Sequence, residues 1–180
     1  MDEEKLQSYK LKKLKSQFEY LRTVLEECQY LYELSLEKFY QDFTQPLSDE
    51  EAQKANKPKK YKGKKPKEKE LSKLYYRIVN KTHPDKLVNK DISEDKKNEL
   101  EALYKKASDA SEKSNYDDLV EIAIKLGLDD VYESEYYLQK SIDKINDKIK
   151  HLKTTYAWVW FHASEEAKVN IKDKIISSYK

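Results

Sequence analysis

His83, Pro84 and Asp85 set an imidazole and a carboxylate two positions apart, on either side of a residue that stiffens the backbone. Such a pair could act as acid and base, chelate a metal, or serve as a binding contact. Acid–base catalysis needs a third, orienting group and a pocket, and the basic amphipathic segment just before the tripeptide provides neither. Metal chelation is poorly served as well. His151 and His162 are far from His83 in sequence, and of the carboxylates near His83 only Asp85 stands at a chelating step from it. With 2 glycines in 180 residues the chain cannot build a glycine-rich phosphate cradle. The sequence therefore points to no catalytic residue, no metal and no cofactor, and leaves the tripeptide as a binding element. Asp85 can pair with an arginine on a partner, and Pro84 lowers the entropy lost when the loop docks.

The flanking residues position the tripeptide. Leu71, Leu74, Tyr75, Ile78, Val79 and Thr82 recur at helical spacing. Lys69, Lys73, Arg77 and Lys81 fall between them at every fourth position and predict a basic ridge along one face. Pro84 disfavours helix at His83, so the helix should end at about Thr82, with His83 and Asp85 projecting from the loop beyond. Ser93, followed by Glu94, Asp95 and Lys96, reads as the N-cap of a second helix with acids in its first turn. Leu100, Leu103, Tyr104, Ala107 and Ala110 form that helix's apolar stripe. The expectation is an antiparallel helical hairpin in which each helix buries its stripe on the other.

On these residues, Leu71 to Lys86 (LSKLYYRIVNKTHPDK), the segment resembles the J-domain (DnaJ-like) co-chaperone family, with Tyr75 and Ile78 at the family's core spacing. The resemblance extends over about residues 68–128 and is to a divergent member. It implies a basic helix II, a His-Pro-Asp loop and an antiparallel helix III. It also implies docking on a DnaK-type heat-shock chaperone and stimulation of that partner's ATP hydrolysis. The residues implied to contact the chaperone are His83, Pro84 and Asp85 with Lys69, Lys73, Arg77, Lys81 and Lys86. The chain departs from the family in two places. A lysine-rich stretch stands where the family has its first helix, and Leu100, Ala107 and Ala110 replace the common aromatics of helix III.

Charged residues make up 39% of the chain and hydrophobic ones 38%, which limits any core to a modest size. The scarcity of glycine and proline favours an all-α protein, a J-like hairpin flanked by long coiled-coil-type helices. A net charge of +2 does not mark the whole chain for nucleic acid. Cys28 is alone, which excludes an internal disulfide, and its apolar setting suits a small buried hydrophobe. There is no signal-peptide pattern at the start and no run long enough to span a membrane, so a cytoplasmic or otherwise intracellular, non-secreted protein is expected.

The sequence divides into four segments. Residues 1–44 read as a long amphipathic helix over 3–43, with a heptad seam through Leu11, Leu14, Phe18, Leu21, Leu25, Cys28, Tyr32, Ser35 and Phe39 and a stop at Pro46. Residues 45–68 read as a Lys-rich flexible linker. Its Lys54–Lys69 tract is a weak candidate for nucleic acid, with Tyr61 alone able to stack on a base. Residues 69–128 hold the J-like module, closed by an apolar helix over 117–126 that Gly127 stops. Residues 129–180 hold a helix over 130–154 and the aromatic cluster Trp158, Trp160, Phe161 and His162, which is expected to be buried. A last helix starts near Ser164. The heptad of this segment continues through Leu138, Ile142, Ile145, Ile149, Leu152, Tyr156 and Val159. The two heptad regions can pair within one chain or build a homodimer or larger assembly, and the intramolecular pairing is the more economical.

Two functions compete. The first is a co-chaperone activator, itself no enzyme, whose flanking helices give client or location specificity. The second is a helical structural or assembly protein, of scaffold or virion-associated type, with a vestigial J-like hairpin. Exposure of His83, Asp85 and the basic ridge separates them.

Overall fold

In a computed structural model, the chain is described at residues 3–43, 50, 68–88 and 91–179, with backbone alone at 178 and 179. These residues form helices and no strand, so the fold is all-α as expected. In chain order the helices are α1 (Glu3–Phe43), α2 (Lys69–Thr82), α3 (Pro84–Leu87), α4 (Glu94–Glu112), α5 (Tyr116–Lys125), α6 (Asp129–Tyr132), α7 (Glu135–Lys153), α8 (Tyr156–His162) and α9 (Glu165–Tyr179). The Pro46 stop and the linker, with its Lys54–Lys69 tract, lie outside the described residues apart from Glu50, Glu68 and Lys69. Among the described residues no helix is long and apolar enough to cross a membrane.

The chain forms two compact units, one of residues 1–21 with 64–145 and the other of 22–63 with 146–180. Both α1 and α7 contribute to each. In the first unit α2 packs against α4 and α5, α4 against α5, and α5 against α6. The helices α2 and α4 run antiparallel, since Tyr75 meets Ser108 (Oη to Oγ, 3.1 Å) while His83, farther along α2, meets the earlier Tyr104. Burial follows the two stripes. Leu71, Leu74, Ile78 and Thr82 of α2 are buried, as are Leu100, Leu103, Ala107 and Ala110 of α4. A fully buried leucine or isoleucine contributes about 1.5–3 kcal/mol. The small side chains at 107 and 110 allow the helices a close approach. Ser93 caps α4, its Oγ accepting from the Lys96 N–H at 3.3 Å.

The end of α5 shows why Gly127 is a glycine. Its φ is +65°, a left-handed conformation that costs residues with a Cβ. Reversal there lets the Leu128 N–H reach the Ala123 carbonyl (2.9 Å) and the Gly127 N–H reach that of Ile124 (3.0 Å). These two bonds make a Schellman motif, which satisfies carbonyls the helix end would otherwise strand.

The helix expected over 130–154 is two helices. The Ser134 N–H turns back to the Val131 carbonyl (3.2 Å) and closes α6. The Ser134 hydroxyl then accepts from the Tyr137 N–H (3.5 Å), and its carbonyl takes the first bond of α7 from Leu138 (3.1 Å). A serine that can cap divides a stretch expected to be one helix. The first part of α1 joins this corner through Lys10–Glu135 (2.5 Å), the Lys15–Glu133 ion pair and the Tyr132 hydroxyl donating to Glu19 (3.2 Å).

The second unit has its own core of Phe39, Phe43, Ala157, Trp160 and Ile175, flanked by Tyr32, Leu36, Tyr40, Ile171 and Ile176. Here two expectations are corrected. The α7 helix stops at Lys153, and Thr155 caps a new helix by accepting from the Trp158 N–H (3.3 Å). The restart breaks the heptad phase, so Tyr156 and Val159 are exposed. Of the aromatic cluster only Trp160 is buried. Trp158 and Phe161 are partly covered, and His162 is exposed, its ring stacked on Trp158 at 4.4 Å. Seven residues make only about two turns, so one face of α8 reaches the core. On α1, Phe18, Leu25, Cys28, Ser35 and Phe39 of the seam are buried, while Leu11, Leu14, Leu21 and Tyr32 are partly so.

Candidate functional site

His83 stands at the junction of α2 and α3 and belongs to both. Its backbone is extended, with φ −61° and ψ 130°, as the proline after it requires. Its N–H completes the last bond of α2, to the Val79 carbonyl at 2.9 Å, and its carbonyl accepts from the Lys86 N–H at 2.9 Å. Its Nδ1 accepts from the Asp85 N–H at 3.2 Å and so caps α3. In this arrangement the ring proton of the neutral imidazole sits on Nε2. Pro84 occupies the first helical position, where its missing N–H costs nothing. The loop expected to carry Asp85 is therefore a single helical turn. The fixed φ of Pro84 and the His83 cap together favour helix at once over an open loop.

This turn is pinned on one side and open on the other. The His83 ring meets the Tyr104 ring edge-on, with centroids 5.2 Å apart, and is 33% exposed. Leu87, at the end of the turn, is buried. The Asp85 side chain is 89% exposed, and its Oδ2 lies 3.7 Å from His83 Nδ1, beyond hydrogen-bond reach. The turn thus offers a carboxylate from a fixed backbone. Among the described residues no group of three or more possible metal ligands occurs.

The basic ridge of α2 is present, and most of its cations have partners in the chain. Lys69 is exposed. Lys73 pairs with Glu70 at 2.6 Å, which raises its pKa. Arg77 donates to Asp130 at 2.5 Å, and Lys81 donates to the Leu126 carbonyl at 3.0 Å. The Arg77 guanidinium holds the Asp130 carboxyl below the usual carboxylate range. Lys86, past the turn, donates to the Asn80 side chain at 2.5 Å. The structure therefore gathers His83, Pro84, Asp85 and Lys86 at one end of α2 and strings Lys69, Lys73, Arg77 and Lys81 along it.

Sequence reasoning misses the groups that anchor the far end of α2. Glu68 Oε2 accepts from the Tyr116 hydroxyl (2.6 Å) and the Tyr136 hydroxyl (3.3 Å), and Lys140 lies 3.6 Å from Oε1. These partners come from α5 and α7, and no local pattern announces them. The Tyr116 hydrogen bond, foremost, lowers the Glu68 pKa, while burial and then Glu68 push the Tyr116 phenol up. Because the folded-state pKa of Glu68 is depressed, its contribution to stability is present at neutral pH and lost as pH falls through the acidic range. Tyr116→Phe is therefore expected to bring the Glu68 titration back toward the ordinary glutamate range. Carboxyl-carbon NMR titration of both proteins checks this, and an unmoved Glu68 would rule the phenol out as the cause.

The chain matches no family model, no curated protein and no solved structure.

Proposed function

We propose that the chain is a J-domain-type co-chaperone. In this reading it docks on a DnaK-type heat-shock chaperone through the His83-Pro84-Asp85 turn and the α2 ridge, and stimulates that partner's ATP hydrolysis. The observation that carries the reading is the Asp85 carboxylate, 89% exposed on a turn whose backbone and flanks are held. A preorganised turn loses little entropy on docking, so one charge-assisted contact to a partner's arginine retains its value. Lys69, Lys73, Arg77, Lys81 and Lys86 supply positive charge that speeds encounter with an acidic groove and makes it salt-sensitive. His83 acts as a positioning residue, capping the turn and packing on Tyr104. The long helices α1 and α7 supply client or location specificity.

Steady-state ATP hydrolysis by a DnaK-type chaperone, with the wild-type chain or with His83→Gln, tests the reading. Several-fold stimulation by the wild type is expected, falling with added salt, and the variant should lose it. A folded, soluble wild-type chain that gives no stimulation would favour an assembly or scaffold role instead.

A further inference from the structure

The α5–α6 corner lies beside the same ridge and offers it what an acidic partner would offer, a carboxylate and a carbonyl. Asp130 takes Arg77 and the Leu126 carbonyl takes Lys81. A third contact extends the line, with the Tyr137 hydroxyl donating to the Glu70 carbonyl at 3.4 Å. The corner is not free to wander. The left-handed Gly127 sets its direction, the Leu128 N–H is bonded to Ala123, and Leu128 and Val131 are buried beneath it. The charged contact itself is at the surface, with Arg77 36% and Asp130 68% exposed. It can open without disturbing the core.

We infer that this corner is a built-in competitor for the docking ridge: a partner must displace Asp130 from Arg77, and the Leu126 carbonyl from Lys81, before it can engage those cations. The inference rests on the docking reading above. It specifies the partner as a surface rich in carboxylates, because only such a surface replaces both lost contacts. It also assigns the corner a gating role, setting how strongly the ridge is offered while Asp85 stays exposed.

The test compares three full-length chains as activators of a DnaK-type ATPase: wild type, Asp130→Asn and Glu133→Gln. Glu133 sits on the same corner and is also charged and exposed, but it pairs with Lys15 of α1 and not with the ridge. Asp130→Asn should lower the concentration needed for half-maximal stimulation about twofold to fivefold, the range an exposed ion pair can supply. Glu133→Gln should leave that concentration unchanged. An Asp130→Asn curve on top of the wild type, or shifted to higher concentration, overturns the competition and leaves the docking reading standing. An equal gain from Glu133→Gln also overturns it, by showing that the loss of any negative charge is enough. No stimulation from any of the three overturns the docking reading and the gate with it.

Discussion

Trp160→Ala should destabilise the protein by about 3–5 kcal/mol, the usual loss when a buried tryptophan is truncated. Trp160 is part of the second unit's core. Its ring meets Phe43 edge-on at 5.0 Å and 76°, and Phe43 in turn stacks on Phe39 at 4.4 Å. Its indole N–H donates to the Asp42 carboxylate at 2.8 Å. Alanine removes the apolar contacts and the donor together and leaves a cavity that Ala157 and Ile175 cannot close. Trp160→Phe separates these effects, since it keeps much of the volume and loses the hydrogen bond. Its loss should be smaller, about 1.5–3 kcal/mol, the worth of a bond to a charged group. Urea denaturation of the three proteins measures both. Equal stability of the wild type and the alanine variant would mean that this cluster is not a core in solution. Against a total of about 5–15 kcal/mol for a typical domain, the larger loss is decisive.

Ile78→Ala should cost about 2–5 kcal/mol and, on the docking reading proposed above, should weaken ATPase stimulation without touching a charged residue. Ile78 is fully buried on the α2 stripe, one turn before the His83 junction. The neighbouring Val79 carbonyl receives the His83 N–H, so loosening of α2 against α4 reaches the His83 turn directly. Hydrogen exchange at the His83 and Lys86 amides reads this out. Both should exchange faster in the variant. Protection at these amides equal to the wild type would show that the turn holds without the stripe. Exposed Lys69 provides the contrast, since its replacement by alanine should leave stability within about 0.5 kcal/mol.

Much of the architecture was readable from local chemistry. The apolar period carried α1 to Phe43 and α2 to Thr82. Ser93 announced α4, and Gly127 announced the end of α5. Each is a case in which one residue type solves one backbone problem. The reading failed at Ser134, where a capping hydroxyl divides a stretch expected to be one helix, and at Thr155, where one sits within an unbroken apolar repeat. A repeat says which faces agree and nothing about whether the helix continues between them. At the candidate site the turn and the ridge were visible as residue types. What the ridge touches was not, because Asp130 is 53 positions from Arg77, and Tyr116 is 48 from Glu68. Such pairs are fixed by how helices pack, which depends on the Gly127 reversal and the Ser134 break together. The aromatic cluster divided for a related reason, since α8 turns one face inward and Trp160 is the one member of the cluster on it.

The sharing of α1 and α7 between two units bears on how the chain is made. Lys10 meets Glu135 across 125 positions, so the start of α1 leaves the ribosome long before the corner it joins. At typical synthesis rates of about 5–20 residues per second, the interval is about 6–25 s. Throughout that time Lys10, Lys15 and Glu19 lack the Glu135, Glu133 and Tyr132 side chains they later meet. The first unit also spans the Lys64–Ile145 stretch, and the second ends only with α9. Neither can close early in translation, so for most of its synthesis the nascent chain carries an uncovered amphipathic helix of the kind that chaperones hold.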